Sequence, residues 1–360
     1  MQTKLSIIIC VHNEERYIAE CIKNLCLADY PQWEAIIIND ASTDTTLDIV
    51  ESFARKHANL RYYSLTHNLG PGNARNFAIM LAKGEHIAFL DADDYIDAAV
   101  LAEKMRVIDA KTDILISGHS RLYDHGPSTI AIEARELSGH AAACLYLMRK
   151  FGTWASWIHI YRRDHVLRNN CLFASGFYCE DVIFCFKALY TAEKIIADPT
   201  PFYMYRSNND SITRGDAVTP LHLMSSARLH FDLVQTLQTK PESDELRAAF
   251  ERACNLLVNE HLPRMIKPLQ QGMHEISLEF FREFMYYIKY CDTPFSRGVL
   301  SVIQNQSHNK KFLYSNDMGF RHSRSWRITS PLRNTAAWLS RGLVYIKTKA
   351  SSRPRKDRSR

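Results

Sequence analysis

Glu85-His86-Ile87-Ala88-Phe89-Leu90-Asp91-Ala92-Asp93-Asp94 is the stretch whose reading decides the fold. Its apolar run, Ile87 to Leu90, stops abruptly at the carboxylates of Asp91, Asp93 and Asp94. Four such residues bounded by Gly84 and by charge fit a buried strand. In open α/β sheets, ligands sit just beyond the carboxyl ends of strands. An Asp-x-Asp there presents hard oxygen ligands, through which a divalent cation bridges to a phosphate. The competing reading is a helix N-terminus, because Asp caps well and suits the helix dipole. It stays open for Asp94, which precedes a helix expected over 95–108. For Asp91 with Asp93, metal and substrate binding is favoured by what lies upstream.

Upstream, Leu5 to Val11 is an Ile-rich run typical of a strand buried on both faces. It ends at His12-Asn13-Glu14-Glu15. A helix is expected over 14–27, with Tyr17, Ile18, Cys21, Ile22, Leu25 and Cys26 at helical spacing. Trp33 to Ile38 reads as a second buried strand, closed by Asn39-Asp40. Ser42 or Thr43 is the expected cap of a helix running to His57. Leu60 to Leu65 reads as a third strand. Asn68-Leu69-Gly70-Pro71-Gly72 is a loop opening onto a helix over 73–83. This alternation of strand and helix predicts a doubly wound, largely parallel sheet. It gathers Asn13, Glu14, Asp40, Asp91 and Asp93 at one sheet edge.

Downstream the pattern predicts a strand over 113–117, a helix over 141–149 and a short strand over 156–161. A helix opens at Glu180-Asp181, and strands follow over 195–197 and 202–206. Residues 118–140 carry no clear periodicity. Strand signals are absent from 216–290, where helices broken by Pro241, Pro263 and Pro268 are expected. The domain division is therefore 1–215 for an α/β domain, 216–295 for a helical region and 296–360 for a polar linker with a basic amphipathic tail.

Composition narrows the class further. The 360 residues, 46% of them apolar, suffice for one large domain with an appendage. Nine scattered cysteines without a Cys-x-x-Cys pair, and without a leader-like start, imply reduced thiols in the cytoplasm rather than a disulfide or zinc framework. No run reaches the roughly 20 apolar residues that span a bilayer. The formal charge of +6 is uneven: residues 321–360 hold twelve Lys/Arg against one Asp, which leaves the body mildly acidic. Such a tail suits an anionic surface. Nucleic acid is not expected, because residues 353–360 lack interleaved aromatics. The first strand is followed by no Gly-x-Gly-x-x-Gly, and a P-loop lysine and a nucleophile elbow are both absent. What remains is a nucleotide held by side chains and a metal bridged by aspartates.

Five segments together resemble the family 2 glycosyltransferases of the GT-A fold, of bacterial surface-polysaccharide type. They are Ser6 to Glu15, Ile38 to Asp44, Gly72-Asn73-Ala74-Arg75-Asn76, Phe89 to Asp94, and Glu180-Asp181 with Phe184 behind it. Their order and spacing agree with the family over residues 4–215, although Asn39 departs from its usual second aspartate. The resemblance implies a Rossmann-like, mostly parallel sheet with helices on both faces. It also implies a nucleotide-diphospho-sugar donor, UDP-sugar favoured, a divalent cation (Mn2+ or Mg2+), and inversion at the anomeric carbon.

Under that resemblance each residue acquires an expected role, beside which its plainer reading stands. Asp40 would accept the imide N–H of a uracil-like base or cap the second helix. Cys10 and Val11 would lie under the base, though Cys10 also suits a buried apolar position. Asn13 and Glu14 would reach the ribose or cap the first helix. Arg75 would meet the diphosphate at a helix N-terminus or pair with Asp40 or Asp91. Asp91 would touch the ribose or assist the metal, and Asp93 would bind the metal. Asp181 is the expected general base, with Glu180 orienting the acceptor. Trp154, Trp157 and His159 are candidate acceptor contacts or core residues. Arg206 and Arg214 would close on the diphosphate. Residues 326–360, with Trp326 and Trp338 among basic residues, suit docking on an anionic inner membrane face near a lipid-linked acceptor. The chain is thus expected to be cytoplasmic and peripheral. The alternative function is a catalytically inactive GT-A-like module that binds a nucleotide sugar or tethers partners.

Overall fold

The apolar runs form strands because each is covered on both sides. The computed structural model describes residues 3–27, 32–123, 126–151, 153–175, 180–206 and scattered positions between 228 and 252. Two compact units divide the chain, residues 1–217 with 232–253 and residues 218–231 with 254–360; everything below concerns the first. The helices expected over 216–295, the tail 296–360 and Arg214 lie almost wholly outside the described residues.

Strand β1 (Leu5–Val11) is central. Its Leu5, Ile7 and Ile9 are fully buried. It pairs in parallel with β2 (Trp33–Asn39) on one side and with β4 (His86–Asp91) on the other. β3 (Leu60–Ser64) extends the sheet beyond β2, also in parallel. The chain therefore reverses direction of travel between β1 and β4, the place where such sheets open a crevice at their carboxyl ends. The register sets Val11 beside Asn39 and Cys10 beside Asp91.

Helices α1 (Ile18–Cys26), α2 (Thr46–Ala54) and α3 (Pro71–Leu81) connect these strands. Two of them start later than the sequence pattern predicts. Residues 14–17 form a turn, and Asp44 Oδ1 accepts from the Thr46 N–H at 3.0 Å, so neither Ser42 nor Thr43 caps α2. Both offsets have one cause: the two loops bond to each other, as described below.

Beyond β4 the sheet becomes mixed. Its order is β3-β2-β1-β4-β9-β6-β10-β5, with β7 on β6 and β8 on β10. Here β5 is Tyr95–Ile96, β6 Ile114–Tyr123, β7 Gly126–Ile130, β8 Arg135–Leu137, β9 His159–Arg162 and β10 Ile195–Arg206. β9 runs antiparallel to both β4 and β6, whereas β10 is parallel to β6. Asp94 is not a helix cap. Tyr95 and Ile96 pair with β10, and α4 (Ala98–Val107) begins after Asp97, whose side chain accepts from the Val100 N–H. The featureless stretch 118–140 is the end of β6 and two short strands. The two segments expected over 195–206 are one strand, irregular between Asp198 and Tyr203 where Pro199 and Pro201 interrupt pairing. α5 (Gly139–Leu147), α6 (Arg163–Arg168) and α7 (Glu180–Thr191) complete the domain. A 3-10 turn, Ser156–Ile158, stands where a strand was expected to begin.

Candidate active site

The loops after β1 and β2 are zipped together. Asn13 and Ala41 both adopt left-handed backbone conformations, each with φ 57°. The Asn13 N–H donates to Ser42 Oγ, and its Oδ1 accepts from the Thr43 N–H at 2.8 Å. The Glu14 N–H donates to Thr46 Oγ1, while Glu15 accepts from the Thr45 N–H and hydroxyl. His12 Nδ1 bonds to the Asp40 carbonyl at 2.7 Å. Asn13 is thus spent on holding the rim rather than held out for a ribose, and neither it nor Glu14 caps α1. Val11 gives its carbonyl to the Asp40 N–H.

Asp40 is buried, and its carboxylate accepts from the Leu69 N–H at 2.7 Å and the Gly70 N–H at 2.8 Å. It caps no helix; it fixes the loop that leads into α3. That loop turns at Gly70, where φ is +82°, a conformation that suits glycine. Gly72 is needed for a different reason. A Cβ there would lie 2.6 Å from the Ala174 carbonyl oxygen and 3.1 Å from Glu180 Cγ. The close approach brings the first turn of α3 against the start of α7.

Arg75, one turn into α3, joins the two halves of the crevice. Its guanidinium donates to Glu180 Oε1 at 2.6 Å and to Asp91 Oδ1 at 3.0 Å, above the Phe173 ring at 5.3 Å. Of its two readings, the salt bridge to Asp91 is observed, and Glu180 is a second partner that the sequence did not suggest. Burial pulls the guanidinium's pKa down, but Asp91 and Glu180 together outweigh it and hold the value well above the ordinary one. Cys10 lies among the same groups. Burial and the charges of Asp91, Asp40 and Glu180 push its thiol up to about 12, with Arg75 opposing.

Asp181, beside Glu180, has its carboxyl pushed up to about 7 by burial, then by Glu180; Arg75 and the Ser156 N–H pull it down. A carboxyl poised near neutrality suits proton transfer at working pH. Across the crevice, Glu14 is pushed up to about 7 by burial and by Asp93, Asp44 and Asp91.

The acidic turn after β4 is held from below. The Asp94 N–H donates to the Asp91 carbonyl. Buried Asp94 accepts from Tyr203 Oη at 2.6 Å and from the Arg206 N–H at 2.7 Å. Burial, then Asp91 and Asp93, push its carboxyl up to about 8. Arg206 lies between the rings of Tyr17 and Tyr95 and donates to the Asp93 carbonyl at 2.9 Å and to Glu20 at 2.8 Å. In this state it braces the turn rather than reaching out as a phosphate ligand.

The candidate acceptor residues turn out to be built into the domain. Trp157 is buried and stacks on Tyr203 and Tyr205. His159 is buried, bonds to Tyr161 Oη through Nδ1, and is held down to about 3 by burial. Trp154 is partly exposed; its Nε1 donates to the Tyr146 carbonyl, and the Arg149 guanidinium lies 3.9 Å over its ring. Tyr203 and Phe173 were not legible as site residues, because nothing near them in sequence marks them.

Among the described residues, no cluster of three His, Cys, Asp or Glu could hold a metal unaided. A cation carried by a diphosphate needs only one or two protein carboxylates. Two carboxylates, Asp91 and Asp93, stand in the turn after β4, and both raise the pKa of Glu14 beside them.

Comparison with known proteins bears on the family. Residues 6–179 match the family model described as Glycosyl transferase family 2. The chain is 28% identical over 218 residues to the putative glycosyltransferase EpsH of Bacillus subtilis, covering 58% of this chain and 62% of that protein. It is 31% identical over 214 residues to the poly(ribitol-phosphate) beta-N-acetylglucosaminyltransferase TarS of Staphylococcus aureus, covering 58% of this chain and 36% of that one. The chain thus spans less than two thirds of either relative. The crystal structure of TarS residues 1–349 in complex with UDP-GlcNAc superposes with a TM-score of 0.64 over 87% of both chains, at 23% identity. Residues 6–179 thus carry the pattern of the family 2 glycosyltransferases, and the chain has the GT-A fold of the TarS structure.

Proposed function

We propose that this chain is an inverting glycosyltransferase. It moves a sugar from a nucleotide-diphospho-sugar, a UDP-sugar first, to a hydroxyl of a glycan or lipid-linked acceptor in bacterial surface-polysaccharide synthesis. One observation carries the reading: Asp181, poised at about 7, is linked through Glu180 and Arg75 to Asp91 at the mouth of β4. The names of EpsH and TarS support the same class.

In this mechanism the nucleotide lies over the carboxyl ends of β1 and β2, against Cys10, Val11 and the loop that Asp40 fixes. Asp91 and Asp93 would hold a divalent cation, Mn2+ or Mg2+, which would supply neutralisation of the charge on the leaving diphosphate. Asp181 accepts the proton of the attacking hydroxyl, a contribution of about 10²–10⁴-fold. Arg75 keeps Glu180 turned toward the donor side, so that base and donor share one frame. A single displacement inverts the anomeric centre and needs no protein nucleophile. No helix among the described residues is long and apolar enough to cross a membrane. Residues 326–360, outside the described residues, supply the proposed contact with an anionic membrane surface.

The test is a donor-hydrolysis screen with Mn2+ across UDP-, GDP- and dTDP-sugars, on the native protein and on Asp93→Ala. Metal-dependent turnover lost in Asp93→Ala is the expected result. Unchanged turnover in the variant removes the metal assignment, and no turnover by the native protein with any donor removes the activity.

A further inference from the structure

The base and the acidic turn belong to distant elements, α7 and β4. Yet one buried residue lies behind both. Trp157 sits in the 3-10 turn Ser156–Ile158. The segment that forms this turn is joined to the start of α7, where Asp181 stands: Tyr146 Oη reaches the Trp154 carbonyl at 2.7 Å and the Val182 carbonyl at 3.4 Å, and Tyr161 Oη meets Cys185 Sγ at 3.4 Å. The Trp157 ring stacks on Tyr203 with centroids 4.2 Å apart and planes 17° apart. Tyr203 Oη in turn donates to Asp94 and accepts from the Asp91 N–H at 3.2 Å. The turn is itself pinned. Tyr161 Oη donates to the Ser156 carbonyl, Tyr205 continues the stack, and the His119 ring meets Trp157 edge-on at 5.1 Å.

We propose that Trp157 is a positioning residue, which sets the separation between the proton-accepting carboxylate and the acidic turn that holds the donor's diphosphate. This deepens the glycosyltransferase reading and rests on it for its catalytic consequence. A displacement at the anomeric carbon requires the attacking hydroxyl and the leaving oxygen on opposite sides in line. Misplacement by about 1 Å costs on the order of 10²-fold. The stack converts any shift of the turn at Ser156 into a shift of Tyr203, and so of Asp91 and Asp94. The side chain is only 9% exposed and stacks on Tyr203 and Tyr205, so it acts through its neighbours and not on the substrate. Arg75 ties the same two ends from above, through Glu180 and Asp91. Trp157 ties them from below.

The experiment compares Trp157→Leu, Trp157→Phe and a distant control, Trp33→Leu, in the full chain. Trp33 is a buried residue at the opposite, amino-terminal end of β2. Amide hydrogen exchange is followed in peptides containing Ser156 and in peptides containing Asp91 to Asp94. Hydrolysis of UDP-N-acetylglucosamine with Mn2+ and calorimetric binding of UDP are measured alongside. In Trp157→Leu, exchange is expected to quicken by about tenfold in both peptides together. Turnover should fall about 10²-fold while the affinity for UDP changes by less than about threefold. Trp157→Phe, which keeps a ring on Tyr203, moves both peptides the same way but less. The control moves neither peptide.

Loosening of only one peptide, or an equal response in the control, overturns the proposal. Should Trp157→Leu fail to fold, Trp157→Phe decides by the same two peptides. If the native protein turns over no UDP-sugar while the two peptides still respond together, the glycosyltransferase reading fails and the structural coupling stands.

Discussion

Arg75→Met is the substitution that asks most of the site. Methionine keeps the length and apolar stem of arginine but removes both charge-assisted bonds, at 2.6 Å to Glu180 and 3.0 Å to Asp91. It leaves those two carboxylates facing each other with Asp181 alongside. The Arg75 and Glu180 side chains are each only 12% exposed, so water screens them little, whereas Asp91 is 33% exposed. Removing one partner of a buried pair costs about 3–5 kcal/mol. Because Asp91 is partly solvated, about 2–3 kcal/mol is expected. For a domain of this size that lowers the melting temperature by roughly 5–10 °C. Arg75 also pulls the Asp181 carboxyl down. Without it, the acid limb of turnover moves above its native position near pH 7, and turnover at neutral pH falls by about 10²-fold. The assay is a thermal melt with a pH profile of donor turnover, on Arg75→Met, Glu180→Gln and the double variant. The double variant should lose less than the sum of the singles, since Glu180→Gln relieves the repulsion that Arg75→Met exposes. Strict additivity, or a melting point within 1 °C of native, refutes the bridge as the element that joins the two halves.

Asp181→Asn should lose about 10²–10⁴-fold in turnover while still binding UDP, measured by calorimetry alongside the rate. In the native protein, turnover should rise as pH climbs through about 7, because only the ionised carboxylate takes a proton. Gly72→Ala drives a methyl to 2.6 Å from the Ala174 carbonyl oxygen and should destabilise by about 1–3 kcal/mol, read by urea unfolding. Asp94 is pushed up to about 8 in the fold against 3.8 ordinarily. The folded state therefore holds a proton that the unfolded chain has released, and stability declines as pH rises across that window. Asp94→Asn should flatten that part of the curve of melting temperature against pH.

The sequence by itself determined the parallel half of this protein. Short Ile-rich runs such as Leu5 to Val11 favour strands covered on both faces, and the polar residues that end them fall at one edge by topology alone. The five family segments named the site for the same reason: each lies where its own strand or helix stops. Local pattern could not say which of two plausible partners a polar side chain takes. Asp40 read as a base ligand or a helix cap, and the fold gave its carboxylate two backbone amides from the loop at 69–70. Arg75 read as a phosphate ligand or a salt bridge, and the fold gave it Asp91 and Glu180. Asp94 lost its role as a cap because Tyr95 and Ile96 pair with a strand more than a hundred residues away, a contact that carries no local signature. Trp157 read as a sugar platform or core, and only the packing of Tyr203 and Tyr205 against it decided. Periodicity fixes which face of an element is apolar. The choice of partner for a buried polar group depends on which distant groups the completed sheet brings within hydrogen-bond reach.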